Sequence, residues 1–379
     1  MTAEHPLVSI LTPSYNSAKF IGATLASVAG QNYAPLEHIV VDGGSTDGTL
    51  DLLRQSSARW ISEPDRGQTE AINKGLRLAQ GDIIGWVNAD DTYAPGAIAA
   101  AVEHLLAEPA VGLVFADCWW IDAAGATLDR WHTRPTTLDD LLLDGCIIAH
   151  QSAFVRRAVF EAVGEFDVNL RFVMDYEWLL RALSAFPARR VEGVWGSLRV
   201  WEGTKTSQYQ GDFWPENVAV VERTLAASSV AAPVADEARR RVQLQLGLNA
   251  AWGEDWPTAS SAVAAALAGP PPYGSWPALA ETIAARCQRP SYLAVSPAEA
   301  DQLLDRVLRV PSLRPELLGH LHQVRAFRAW QKQDRPAARR HAAAALRASP
   351  AVRGNRGLWS VWAQSWLRPQ RPGGGRDRP

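Results

Sequence analysis

The chain has 379 residues, 38 Lys and Arg against 40 Asp and Glu, 47% apolar residues and three cysteines. That length suits two domains at roughly 150 residues each, and no nucleic-acid partner is expected. No apolar run of about 18 residues occurs, which excludes a spanning helix, and Cys118, Cys146 and Cys287 match neither a zinc spacing nor a disulfide framework.

The N-terminus, MTAEHPLVSILTPSYN, enters a strand pattern at once, with no basic n-region or signal-like apolar core. A cytoplasmic protein is therefore expected. Residues 7–12 form a first apolar run, followed by a helical pattern over 19–29. A second strand is expected at 38–42, a third at 60–62 with a helix over 69–79, and a fourth at 82–87 with a helix over 97–107. Residues 111–116 make a fifth strand. Strands alternating with helical periods imply an α/β domain with a mostly parallel, Rossmann-like sheet and right-handed crossovers. Beyond Asp117 the pattern changes: a hairpin around 119–125, a short helix over 139–143, a strand over 150–155, a helix over 175–183 and a further strand over 190–200.

From about Val220 the composition shifts to Ala, Arg and Leu without strand pattern. Boundaries are expected near 1–220 for the α/β domain and 221–370 for an all-helical region, with a disordered Gly/Pro/Arg-rich tail over 371–379. Residues 301–379 hold sixteen Lys and Arg against five Asp and Glu, so the first 300 carry a net −13. Two stretches share a motif. Ala251-Trp252 leads to Asp255-Trp256-Pro257-Thr258-Ala259 and Ala266-Leu267; Ala329-Trp330 leads to Asp334-Arg335-Pro336-Ala337-Ala338 and Ala345-Leu346. This is the helix–turn–helix pattern of tetratricopeptide-like repeats, beside which a generic Ala-rich bundle stays open, and it offers a surface for a protein partner. Near the end, Trp359, Trp362 and Trp366 fall at i, i+3 and i+7 among Arg353, Arg356, Arg368 and Arg371. An aromatic stripe with basic flanks suits peripheral contact with a membrane, or packing on the helical region.

The chemistry gathers at strand ends. Asn88-Ala89-Asp90-Asp91 follows the fourth strand, where open α/β sheets place ligands. Two adjacent carboxylates repel unless a cation screens them, and their oxygens suit Mg²⁺ or Mn²⁺; a helix cap is the plainer use of such a pair. The first strand ends in Thr12-Pro13-Ser14-Tyr15-Asn16. The second ends in Asp42, whose carboxylate can accept from a nucleobase N–H or a ribose hydroxyl, whereas Asp47 reads as a helix cap. The third is followed by Glu63-Pro64-Asp65-Arg66-Gly67-Gln68, with Asn73-Lys74-Gly75 in the helix behind. Acids at successive strand ends point to a site rather than to stability.

These motifs, in this order and spacing, resemble the inverting, nucleotide-sugar-dependent glycosyltransferases of family 2 with the GT-A fold, over residues 7 to about 206. The resemblance implies that Thr12, Pro13, Ser14, Tyr15, Asp42 and Asp65 hold the donor nucleotide. Asp91 is the first choice as ligand of a divalent cation, Mn²⁺ or Mg²⁺, and Asp90 lies on the donor or joins the metal. Asn88 stands where many relatives have an acid, and Ile72 where they often have an Arg, which passes base contacts to Gln68 or Lys74. Asp175 takes the place of the catalytic base, with a helix N-cap as its plainer use. His150 and Gln151 open the acceptor side. Trp201, also placed with the acceptor, occupies a position where relatives carry a His that touches metal or diphosphate, and Lys205 supplies compensating charge on the diphosphate.

The reading that follows is a transferase moving a sugar from a nucleotide-diphosphate donor to a glycan or lipid-linked acceptor with inversion, in cell-surface polysaccharide synthesis. The alternatives are a non-catalytic scaffold acting through the helical region, and a sugar-nucleotide nucleotidyltransferase. The latter requires a Gly-rich basic loop after the first strand, which Thr12-Pro13-Ser14-Tyr15 does not supply.

Overall fold

The computed structural model describes residues 5–209, 211–289 and 295–366. The chain divides into two compact units between Ala238 and Arg239. The first is an α/β unit with strands β1 (Val8–Ser14), β2 (Leu36–Asp42), β3 (Arg59–Ser62), β4 (Ile83–Trp86), β5 (Thr92–Tyr93), β6 (Leu113–Ile121), β7 (Thr127–Trp131), β8 (Ala153–Arg156) and β9 (Ala188–Arg199). Its helices are α1 (Ile21–Ala29), α2 (Thr49–Arg54), α3 (Gln68–Leu78), α4 (Ala97–Ala107), α5 (Leu138–Asp144), α6 (Arg157–Val163), α7 (Met174–Ala185), α8 (Lys205–Gln208) and α9 (Phe213–Ala227).

The strands form one mixed sheet in the order β3-β2-β1-β4-β8-β6-β9-β5, with β7 on β6. It is parallel across β3-β2-β1-β4 and at β6–β9, and antiparallel where β8 meets β4 and β6. All seven residues of β1 are buried, as expected of a strand with both faces covered, and this accounts for its unbroken apolar run. Gly85 of β4 lets layers close over the sheet: a Cβ there would lie 2.8 Å from Tyr93 Oη and 2.9 Å from Ile10 Cδ1. In the parallel half, Ser14 stands opposite Asp42 and Leu11 opposite Trp86. The carboxyl ends of β1, β2 and β4 therefore share one edge, with residues 87–91 running along it.

Three local expectations are corrected. The strand expected over 150–155 begins as a 3-10 turn, His150–Ser152, before β8. Ser152 Oγ donates to the carbonyls of Ala149 (2.9 Å) and Ala116 (2.6 Å), closing the turn. A strand would send His150 and Gln151 to opposite faces, whereas the turn brings both to the same edge. The expected fifth strand runs on as β6 to Ile121, and α6 and the two-residue β5 were not expected.

The second unit is helical among its described residues: the end of α10 (Ala232–Trp252), then α11 (Trp256–Ala266), α12 (Trp276–Gln288), α13 (Pro297–Val307), α14 (Pro315–Gln331), α15 (Arg335–Ala348) and α16 (Arg356–Gln364). The two motif-bearing turns have the same geometry. Glu254 and Gln333 both take φ of 62°, and the next residue's amide, Asp255 or Asp334, donates to Ala250 or Ala329 at 2.9 Å. Each Asp then caps its helix, at Thr258 and Ala337 respectively. Superposing these turns places Trp330 opposite Ala251, not Trp252. The shared Ala-Trp is thus out of register by one residue, and the repeat resides in the turn.

The Trp stripe is divided. Trp362 packs against the cluster of Ala338, Leu358 and Val361, while Trp359 and Trp366 are 44% and 62% exposed. Arg368, Arg371 and the tail lie outside the described residues. Between α14 and α15, His322 and His341 face each other with Nδ1 atoms 3.0 Å apart. Burial, then the charge of His341, pushes His322 down to about 4, and burial lowers His341 as well. The unfolded chain binds protons first, near the ordinary histidine value. Stability is therefore complete above that value and drains as pH falls from about 6.5 toward 4. His322→Asn should flatten the loss of melting temperature between pH 7.5 and 5; an unchanged loss would place the acid sensitivity elsewhere.

Candidate active site at the carboxyl edge of the sheet

The fold gathers most of the expected residues around Asn88. Its Oδ1 accepts from Gln68 Nε2 (2.7 Å), and its Nδ2 donates to Asp91 Oδ2 (3.1 Å) and faces His150 Nε2 (3.1 Å). An aspartate in the same place could only accept, and would set like charge against Asp91. An amide that both donates and accepts ties the α3 side of the site to the β8 side. With Asn88 donating, His150 Nε2 accepts, so the ring carries its proton on Nδ1, which lies 3.5 Å from Asp175 Oδ2. The imidazole is stacked on Trp86 at 5.6 Å, with planes 3° apart. His150, expected on the acceptor side, links Asn88 to Asp175.

Asp175 sits in the first turn of α7 with its side chain 27% exposed. Burial pushes its carboxyl up, but the hydrogen bond and charge of His150 outweigh this and hold it below its usual value. It is an ionised acceptor, as a general base must be. The loop leading into α7 is anchored by Glu216 of α9, which accepts from the amides of Arg171 (2.9 Å), Phe172 (2.8 Å) and Val173 (3.2 Å). Nothing in the sequence around Glu216 signals that role. Glu177 faces elsewhere, paired with Arg181 (2.8 Å) and Arg223 (2.9 Å).

The acid pair divides its tasks. Asp91 is 2% exposed, and its oxygens accept from the amide of Arg199 (2.8 Å), from Gln151 Nε2 (2.8 Å) and from Asn88. Burial, and after it the charge of Asp90, pushes Asp91 up to about 7. Asp90 is half-buried, with Oδ2 accepting from Trp201 Nε1 at 3.1 Å. Burial raises its carboxyl too. Two carboxylates raised together leave a charge that a cation would relieve. Among the described residues no three His, Cys, Asp or Glu side chains converge as a ligand set. The protein thus offers a half-open carboxylate rather than a closed cage, which fits a Mg²⁺-like ion completed by substrate phosphates.

Gln151 is fully buried and held on Asp91, so it supports that carboxylate and does not face an acceptor. Trp201 packs on Phe20 at 5.0 Å and reaches Asp90, placing it beside the acid pair. Arg199, which sequence reasoning missed, also donates from Nε to the Asp90 carbonyl (2.8 Å) and from a terminal nitrogen to that of Asp122 (2.9 Å). Only its place just before Trp201 could have pointed to it.

The residues expected around the nucleotide lie in or just beyond β1, β2 and β3 and in α3 and α8. Thr12, Pro13 and Ser14 are buried in β1, and Thr12 Oγ1 is 2.9 Å from His38 Nε2. Tyr15 follows, 65% exposed at the edge. Asp42 is buried, accepting from the Gly44 and Ser45 amides (3.1 and 2.9 Å) and from Ser62 Oγ (2.7 Å), and so holds the turn that follows β2. Asp65 borders the same turn, since a Cβ on Gly43 would lie 2.9 Å from its Oδ2, and burial raises its carboxyl. Lys74 is paired with Glu63 (2.9 Å) beside Glu70 (3.6 Å), while Asn73 clamps Phe166 through both its main-chain groups. Lys205 Nζ donates to Gln68 Oε1 at 2.9 Å, so Gln68 bridges Lys205 and Asn88. Asp47, expected as a helix cap, lies one residue before the N-cap of α2, which is Gly48, and accepts from the amides of Ala18 and Thr49 in the turn leading to it.

The Glycosyl transferase family 2 profile matches residues 9–164, the segment that carries Asp42, Asn88, Asp90, Asp91 and His150. A PGL/p-HBAD biosynthesis glycosyltransferase of Mycobacterium tuberculosis is 32% identical over 186 residues, covering 47% of this chain and 70% of that relative. The chain belongs to glycosyl transferase family 2. The transferase also shares its fold with S. aureus TarS, solved in complex with UDP-GlcNAc, at 15% identity and a TM-score of 0.56 over 86% of this chain and 92% of that one. The mannosyltransferase PcManGT from Pyrobaculum calidifontis, solved with GDP-Man and Mn²⁺, is 25% identical with a TM-score of 0.51, over 76% and 82% of the two chains. Among the described residues of the transferase no helix is long and apolar enough to cross a membrane.

Proposed function

We propose that the transferase moves a sugar from a nucleotide-diphosphate donor to an acceptor hydroxyl, with Asp175 as base and inversion at the anomeric carbon. The observation that carries this is the connected chain Asp175–His150–Asn88–Asp91, which ties a base to an acid pair more than eighty positions earlier in sequence. The donor lies along the carboxyl ends of β1, β2 and β4, with Tyr15, Asp65 and Lys74 around the nucleotide and Asp42 holding the turn after β2 that borders it. Thr12, Pro13 and Ser14 shape the wall beneath. Asp90 is the better placed ligand for Mn²⁺ or Mg²⁺, because Asp91 is already committed to three donors of its own chain. A bound cation supplies positive charge against the leaving diphosphate.

Asp175 accepts the proton of the acceptor hydroxyl as its oxygen attacks from the face opposite the departing group. His150, donating from Nδ1, keeps the carboxylate ionised and aimed. Gln68 and Lys205 extend the polar rim from Asn88, and Lys205 brings a positive charge near the reacting groups. The acceptor is a glycan or a lipid-linked sugar, by analogy with the PGL/p-HBAD biosynthesis named for the M. tuberculosis relative.

The direct test is thermal stabilisation of the full chain by a panel of nucleotide sugars with and without Mn²⁺. One base-and-sugar combination should raise the melting temperature, and more so with Mn²⁺. No stabilisation by any member of the panel would remove the donor assignment.

A further inference from the structure

Between the start of α3 and the loop that enters α7 lies a recess of about 160 Å³, lined in part by Arg66, Gln68, Asn169, Leu170, Arg171 and Lys205. Its one acidic wall residue, Glu70, is already matched by Arg66 (2.8 Å) and Lys74 (3.6 Å). Among the described residues Lys205 Nζ donates only to neutral oxygens, Gln68 Oε1 (2.9 Å) and the Arg171 carbonyl (3.1 Å). The Arg171 guanidinium rests over the rings of Phe172 (5.1 Å) and Tyr209 (4.8 Å). Among the described residues neither cation has a carboxylate within ion-pair distance. The recess also receives the first residues of α3, whose amides no side chain caps, and such a helix start favours negative charge.

A half-buried cation is unfavourable without a counter-charge, and burial lowers Lys205, while Arg171 beside it is exposed. The recess adjoins the base. Thr69 Oγ1 lies 3.3 Å from the Leu170 carbonyl and 2.7 Å from Met174 Sδ, next in sequence to Asp175. Asp175 is, after burial, the largest charge acting on Lys205. We propose that the recess is a subsite for an oxyanion group, phosphate or carboxylate, carried by the acceptor beside the hydroxyl that Asp175 deprotonates. This rests on the assignment of Asp175 as base. Arg171 and Arg66 grip the anion, and Lys205 spans it and the reacting centre.

The test titrates inorganic phosphate, and separately glucuronate, into the full-length protein alone and saturated with UDP or GDP plus Mn²⁺. At least one anion should bind in the presence of nucleotide. The Arg66→Gln/Arg171→Gln double variant should weaken that binding about tenfold, while changing nucleotide affinity less than about twofold. Arg171→Lys, which keeps the charge, should retain most of the binding and guards against a folding defect in the double variant. Displacement of the anion by nucleotide would assign the recess to the donor diphosphate and overturn the proposal, as would equal binding by wild type and double variant, or no binding at all. A protein that binds anion through Arg171 but no nucleotide would overturn the donor assignment while leaving an anion site.

Discussion

Asp175→Asn is expected to reduce sugar transfer by about 10²–10⁴-fold, the range that a positioned base contributes. Donor binding measured by calorimetry should stay within about twofold, because Asp175 contacts His150 and the Tyr176 amide rather than the nucleotide-side residues. An amide in this place retains the shape and can still accept from His150 Nδ1, so the helix start survives. What it loses is the capacity to take a proton. Loss of donor binding in parallel with turnover would make Asp175 a structural residue and return the catalytic role to another group.

Asp90→Asn and Asp91→Asn should separate. Asp90→Asn removes the half-open carboxylate; transfer should fall about 10²–10³-fold, as for loss of one stabilising charge at a reacting centre, with little change in melting temperature. Asp91→Asn should instead destabilise the fold by roughly 1–3 kcal/mol, because an amide nitrogen must then meet a donor, the Arg199 amide on one side or Gln151 and Asn88 on the other. Manganese titration of the two variants completes the comparison. If Asp91→Asn alone abolished cation binding at unchanged stability, Asp91 would be the ligand and Asp90 the bystander.

Strand ends are where the local pattern was most informative. The runs at 7–12, 38–42 and 82–87 mark parallel strands because buried strands need apolar residues on both faces, a requirement visible residue by residue, whereas the run at 60–62 is an edge strand with no buried residue. Acids standing directly after such runs, Asp42, Asp65 and Asp90, must lie at the carboxyl edge whatever the rest of the chain does. Asp175 was legible as a candidate base only through the family motif, since a lone Asp at a helix start is equally well a cap. Where strands turn antiparallel, around β8, the periodicity no longer distinguished a strand from the 3-10 turn at His150–Ser152.

Composition and order of motifs were thus enough for the α/β class, the helical second part and the acidic edge, since each depends on neighbours in sequence. Partner choice was not. Whether Asp91 faces a cation or three donors depends on Gln151 and Arg199, 60 and 108 residues away. Asn88 looked like a lost acid in the linear chain; folded, it is the group that sets the proton on His150. Hydrogen bonds are satisfied across the whole fold, and a side chain's role follows from which distant donor or acceptor the packing sets against it.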